Sequence, residues 1–255
     1  MHGHAQPTVA LTLPGTSTGT ASALAGGLAL VTGASRGIGE AVARILAREG
    51  SHVVLVSRTV ERLEELAGEL GGTALPLDLT DRSATAEATA GLIARRGVPD
   101  VMVNAAGVFD IAPIHETTAD TLDRNLDVNL RSAFWLLRCL LPAMLERRSG
   151  LVINIGSVAG RQAFPGNAAY SASKYGLRGL HEVLVEEVRG TGVRACLIEP
   201  SATDTTIWDP MDPDNHPALP SREAMLAPDD VAEAVLFVCT RPQTVQIPLV
   251  QIARA

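Results

Sequence analysis

The chain has 255 residues, 46% of them hydrophobic and only 3% aromatic, so its core is built mostly from Ala, Val, Leu and Ile, a bias that suits a parallel sheet buried on both faces. A net charge of −7 argues against general binding to nucleic acid or anionic membranes. Cys139, Cys196 and Cys239 lie scattered in apolar segments with no metal-ligand spacing and read as buried, reduced thiols of a cytoplasmic protein, and no run approaches 18 purely apolar residues, which argues against a membrane span.

Residues 1–24 are rich in Thr, Ser, Gly and Ala, nearly uncharged, and lack the basic start and apolar centre of a secretory signal. They read as a disordered extension, in which His2 and His4 are too few for a metal site. One domain is expected over 25–255. Leu28-Ala29-Leu30-Val31 is a short strand, followed by Thr32-Gly33-Ala34-Ser35-Arg36-Gly37-Ile38-Gly39 and an Ala-rich helix from Glu40 to Glu49. This strand, glycine turn and helix form a dinucleotide fingerprint. Gly33 permits the tight turn, Gly37 admits a pyrophosphate to the backbone, and Gly39 lets the helix pack closely. The helix N-terminus offers free N–H groups to phosphates.

Val53–Val56 is the second strand. An acid at its end would bind the free 2′-hydroxyl of an NAD ribose. Ser57 and Arg58 stand there instead, and a guanidinium suits a 2′-phosphate, with Arg36 as a second partner. Arg58 also reads as an ordinary solvated residue at a helix start. A helix over about 59–70, a strand over 73–77 and Asp78-Leu79 follow. Asp78 either accepts from an adenine amino group or caps the helix that starts near Asp81. After that helix (about 82–96), a strand runs from Asp100 to Asn104. The small residues Ala105, Ala106 and Gly107 let a cofactor lie against the backbone. Helical spacing resumes near Thr118, and Leu130–Arg147 is a strongly apolar helix with Asn129 at its start and Pro142 as a candidate kink.

Leu151–Ile155 reads as a buried strand with Ser157 at its C-terminal end. A loop with Pro165, Gly166 and Asn167 leads into a helix from Ala168, where Tyr170 and Lys174, four apart, share one face. A free phenol, with a pKa of roughly 10, is a weak base at neutral pH. A nearby ammonium favours phenolate, so Lys174 is expected to tune Tyr170 as an acid/base while Ser157 polarises a substrate oxygen. Val193–Ile198 is a strand that ends at Glu199-Pro200. Residues 201–227 form a long Pro-rich loop with Trp208, expected to close over bound ligands. A helix over about 228–240 and a last strand over 245–250 complete the chain.

Strands alternating with helices after a glycine fingerprint specify an α/β, doubly wound, Rossmann-type domain. Jointly, TGASRGIG (32–39), NAAG (104–107), Asn129, Ser157 and YSASK (170–174) resemble the short-chain dehydrogenase/reductase family over about Leu24–Leu249. The resemblance implies a three-layer domain with seven parallel strands, frequent homotetramers or else homodimers, and NADP(H) chemistry on a small carbonyl or alcohol. It implies a tetrad of Asn129, Ser157, Tyr170 and Lys174. In it Tyr170 is the acid/base, Ser157 orients the carbonyl, Lys174 binds the nicotinamide ribose and lowers the Tyr pKa, and Asn129 holds a water in a proton relay. Expected cofactor contacts are Gly33, Ser35, Arg36, Gly37, Ile38, Gly39, Arg58, Asp78, Leu79, Asn104, Ala105, Gly107, Tyr170, Lys174, Pro200, Thr203 and Thr205. Ala105 stands where the family often has Asn, and Ser201 where it often has Gly. Phe109, Phe164, Ile207 and Trp208 point to an apolar substrate, or else to core and loop packing. An NAD-dependent alcohol dehydrogenase and a non-catalytic dinucleotide-binding regulator are the competing readings; the intact tetrad speaks against the regulator.

Overall fold

The structure is a computed structural model, and it describes residues 24–255. Strands and helices alternate: β1 Leu28–Thr32, α1 Gly37–Arg48, β2 His52–Ser57, α2 Val60–Leu70, β3 Thr73–Pro76, α3 Arg82–Arg96, β4 Val101–Asn104, α4 Ala119–Leu126, α5 Ser132–Arg147, β5 Gly150–Ile155, α6 Ala168–Glu187, β6 Val193–Pro200, α7 Pro228–Cys239 and β7 Leu249–Ile252. The seven strands pair in parallel in the order β3-β2-β1-β4-β5-β6-β7. The expected doubly wound sheet of seven parallel strands is therefore present. The strand order reverses between β1 and β4, and that reversal opens a crevice at the C-terminal ends of the strands.

The centre of the sheet is buried on both sides because its inner strands are apolar at most positions. Side chains alternate between faces. Ala29, Val31, Val53, Leu55, Val103 and Ile153 pack beneath α1, α2 and α7, while Leu30, Val54, Val56, Met102 and Val152 pack beneath α3, α5 and α6. Aliphatic side chains fill this space without large rings, which accounts for the scarcity of aromatics.

Leu24 is 7% exposed, and its carbonyl accepts from the Gly27 N–H and the Ser51 hydroxyl. Leu24 therefore belongs to the folded body, although the sequence places it in the extension; residues 1–23 lie outside the described residues. The two helical patterns near residue 118 and residue 130 join into one helix over 119–147, with a π-helical turn at Asp127–Arg131. Pro142 sits inside α5, which continues to Arg147. This helix is long and apolar enough by composition to cross a bilayer. Its buried face of Leu136, Leu140 and Met144 is spent on the sheet, as in a core helix.

The last strand differs from its expected place. It starts at Leu249 because Pro248 has no N–H to give to a ladder. The preceding residues are tied by side chains instead. Gln246 donates to the Ala195 carbonyl at 2.6 Å, and the Pro248 carbonyl accepts from the Leu197 N–H. The 201–227 loop is also more ordered than its lack of period implies. It carries short 3-10 turns at Thr206–Met211, Pro213–Asn215 and Arg222–Ala224.

Candidate active site

The glycine turn after β1 is built by close backbone approach. A Cβ on Gly33, whose φ is +66°, would stand 2.9 Å from the backbone of Ala105 and Ala106. One on Gly39 would stand 2.3 Å from the Gly33 carbonyl oxygen. Gly39 thus lets α1 close onto the turn itself. The buried Thr32 hydroxyl accepts from the N–H groups of Ala105 and Ala106, both at 3.0 Å, and locks the loop after β4 beside the turn. At the head of α1, Arg36 is extended and no side chain caps the first N–H groups. A bare helix N-terminus above a glycine cradle fits a pyrophosphate. Gly37 faces Thr205, where a Cβ would meet the threonine methyl at 3.0 Å. Ser35 and Ile38 lie in the same turn.

Beyond β2, Arg58 is exposed. Asp78 accepts from the Thr80 N–H at 2.9 Å and the Thr80 hydroxyl at 2.8 Å. These Thr80 contacts, and secondarily the charge of Arg58, hold its carboxyl below the usual carboxylate range. The cap of α3 is Asp81, which accepts from Ser83 and Ala84. That removes the capping role from Asp78. Leu79 is buried in the core, so what it can offer a cofactor is backbone. Asn104 is buried and donates to the Asn154 amide at 2.7 Å. Gly107 lies against Asn129, whose amide oxygen would be 3.4 Å from an added Cβ.

Ser157, Tyr170 and Lys174 converge. Ser157 caps the 3-10 turn Val158–Gly160 by accepting from Ala159, and its hydroxyl bonds to the Tyr170 phenol. The Lys174 ammonium lies 5.7 Å from the Tyr170 ring centroid and donates to the Ile155 carbonyl at 2.9 Å. Burial lowers the lysine pKa to about 8. Burial also pushes the Tyr170 phenol up, and the Ser157 hydrogen bond opposes that. Desolvation is the larger effect, and the Ser157 hydroxyl favours the phenolate. The Asn129 amide accepts from the Val108 N–H at 2.8 Å and donates to the Val108 carbonyl and to Ser173. Ser173 in turn donates to the Tyr170 carbonyl at 2.6 Å. The Asn129 side chain is thus a strut between the β4 loop and the first turn of α6, set on the π-helical turn.

A family model described as short chain dehydrogenase matches residues 27–216. The chain belongs to the short-chain dehydrogenase/reductase family. An uncharacterized oxidoreductase of Staphylococcus aureus (strain MW2) is 34% identical over 223 residues, covering 86% of this chain and 94% of the relative. The crystal structure of a metagenomic short-chain oxidoreductase in complex with NADP is 37% identical, with a TM-score of 0.77 over 91% of this chain and 98% of the other. An alcohol dehydrogenase from the archaeon Thermococcus sibiricus, complexed with 5-hydroxy-NADP, is 29% identical, with a TM-score of 0.80 over 89% and 96%.

Around the core of this short-chain dehydrogenase/reductase site lie residues that sequence reasoning missed. Glu199, 1% exposed at the end of β6, accepts from Arg178 of α6 at 3.0 Å, pairs with Arg161 after the Ser157 turn at 3.3 Å, and accepts from Gln251 of β7 at 3.1 Å. One carboxylate thus ties the serine turn to the tyrosine helix. Its signal in the sequence was an acid between the run 193–198 and Pro200. Arg222 clasps Asp204 at 2.5 Å, Asp209 at 2.6 Å and the Thr205 carbonyl at 3.3 Å, and so fixes the 201–227 loop. Thr203 spends its hydroxyl on the Ser201 carbonyl, and Pro200 pairs with Ile252. Phe109 packs edge-to-face on Tyr170 and on Trp208; Ile207 is half-buried, and Phe164 is exposed and outside this contact chain.

Proposed function

We propose that the chain interconverts a carbonyl and a secondary alcohol with NADP(H), Tyr170 serving as the acid/base. The convergence of the Ser157 hydroxyl, the Tyr170 phenol and the Lys174 ammonium at the C-terminal ends of the strands carries this reading. When bound, the cofactor supplies the hydride. The protein's part is to seat the substrate oxygen between Ser157 and Tyr170. In reduction the phenol, kept protonated by burial, gives its proton to that oxygen. In oxidation Tyr170 takes the proton back, and the Ser157 hydrogen bond favours the phenolate that must do so. Lys174 spends one N–H on Ile155 and has others to offer ribose hydroxyls. Arg58, with Asp78 beside it and no acid after β2, favours the 2′-phosphate, and the NADP complex of the metagenomic relative supports that choice.

Free cysteines fit a reducing, cytoplasmic setting, and burial pushes Cys196 and Cys239 up to about 12. Exposed Phe134 beside Trp135 offers an apolar contact for a homotetramer or homodimer. The test is Tyr170→Phe. Its kcat for NADPH-dependent ketone reduction should fall by about 10²-fold or more with the fold intact by circular dichroism. Near wild-type turnover refutes the assignment.

A further inference from the structure

Resting on the reductase reading above, we infer that the substrate is a neutral carbonyl compound with an aromatic or similarly flat apolar group beside the carbonyl, seated by Phe109 and Trp208. The Phe109 ring meets Tyr170 at 4.6 Å between centroids with 65° between planes, and Trp208 at 4.9 Å with 70°. Three rings thus form one continuous wall that ends at the catalytic phenol. A carbonyl held by Tyr170 places its neighbouring substituent against this wall, where offset and edge-to-face contacts favour another ring.

The wall is fixed before any ligand arrives. Val108, next to Phe109, is held on both its N–H and its carbonyl by Asn129. On the other side, Asp110 accepts from Asn125 at 2.8 Å and from Arg124. The indole N–H of Trp208 is spent on the Thr203 carbonyl at 3.0 Å, so the indole presents apolar surface only. Preorganised rings lose little entropy on binding.

Charge makes the second half of the argument. The arginines on the framing segments are already matched: Arg124 by Asp110, Arg161 by Glu199, Arg222 by Asp204 and Asp209. Two of those acids, Asp110 and Asp209, are the chain neighbours of the two wall residues. A substrate carboxylate or phosphate would be stripped of water beside apolar rings and acids, without a guanidinium left to receive it.

The test compares kcat/KM with NADPH for three carbonyl compounds: ethyl benzoylformate, its anion benzoylformate, and ethyl pyruvate. The wild type should favour ethyl benzoylformate over ethyl pyruvate by about tenfold or more, and over benzoylformate by at least as much. In Trp208→Ala and in Phe109→Leu the aryl-to-methyl ratio should drop several-fold, through KM for the aryl ester. Equal use of benzoylformate and its ester refutes the neutral-substrate claim, and an unchanged ratio in both folded variants refutes the wall. Because the wild-type comparison stands alone, a variant that fails to fold does not rescue the idea. Turnover of none of the three would overturn the reductase reading, and this inference with it, whereas turnover with the wrong selectivity overturns this inference alone.

Discussion

Lys174 is a buried ammonium, and its stability cost can be measured. The side chain is 6% exposed and donates to the Ile155 carbonyl, its hydrogen-bond partner among the described residues. The pKa falls from 10.5 to about 8 on burial, which corresponds to about 3 kcal/mol of differential solvation. The sign follows from proton counts. Below about pH 8 the lysine is protonated in both states, and the folded protein bears the full cost. Between about 8 and 10.5 the folded state gives up its proton while the unfolded state keeps it, so stability rises with pH. Lys174→Met removes the titration and retains the volume. It also leaves Ile155 without its donor, which costs about 1 kcal/mol. The variant should therefore be more stable than the wild type by roughly 2 kcal/mol near pH 7, with the gap closing as pH rises through 8 to 10. Urea unfolding at fixed protein concentration measures it, with wild type and variant compared at each pH so that Tyr170 and the cysteines cancel. A gap that stays constant from pH 7 to 10 refutes the depressed lysine.

Arg58→Ala should lower the preference for NADPH over NADH, expected to be at least tenfold in kcat/KM, and high salt should shrink it too, since one charge-assisted contact is worth about 1.5–3 kcal/mol; equal use of both cofactors by the wild type refutes the 2′-phosphate reading. Gly39→Ala forces a Cβ to 2.3 Å from the Gly33 carbonyl and should lower the Tm by several degrees while abolishing cofactor binding; a wild-type melting curve would show that the turn can yield. Glu199→Gln leaves Arg161 and Arg178 without their shared carboxylate and should destabilise by about 3 kcal/mol, the low end for a broken buried pair because both guanidiniums reach solvent; an unchanged urea midpoint contradicts it.

The frame of the molecule was legible because its elements carry strong periods. Leu28–Val31 is apolar at every position and Leu151–Ile155 at all but Asn154, as strands buried on both faces are, and the glycine spacing marks the turn between β1 and α1. Ser157, Tyr170 and Lys174 were legible because one strand, loop and helix carry all three. What stayed hidden depends on residues far apart in the chain. Nothing near Phe109 says that Trp208 will lie against it, and Glu199 reads as a strand-end acid until Arg161 and Arg178 are folded around it. The start of β7 was misread because its pairing follows from the missing N–H of Pro248 and from the Gln246 side chain, neither of which has a period. The π-helical turn at Asn129 arises inside a helical pattern that looks unbroken from residue to residue.

The close approach of Thr205 to Gly37 would couple dinucleotide binding to carbonyl binding. Thr205 rests on the turn that fits a pyrophosphate, and the Arg222 that grips its carbonyl also grips Asp209, the neighbour of Trp208. A dinucleotide settling on Gly37 would press on Thr205, and the clasp would pass that shift to the indole. Affinity for the carbonyl compound then depends on whether the dinucleotide is present. Reciprocity requires that the carbonyl compound tighten or loosen the dinucleotide by the same factor.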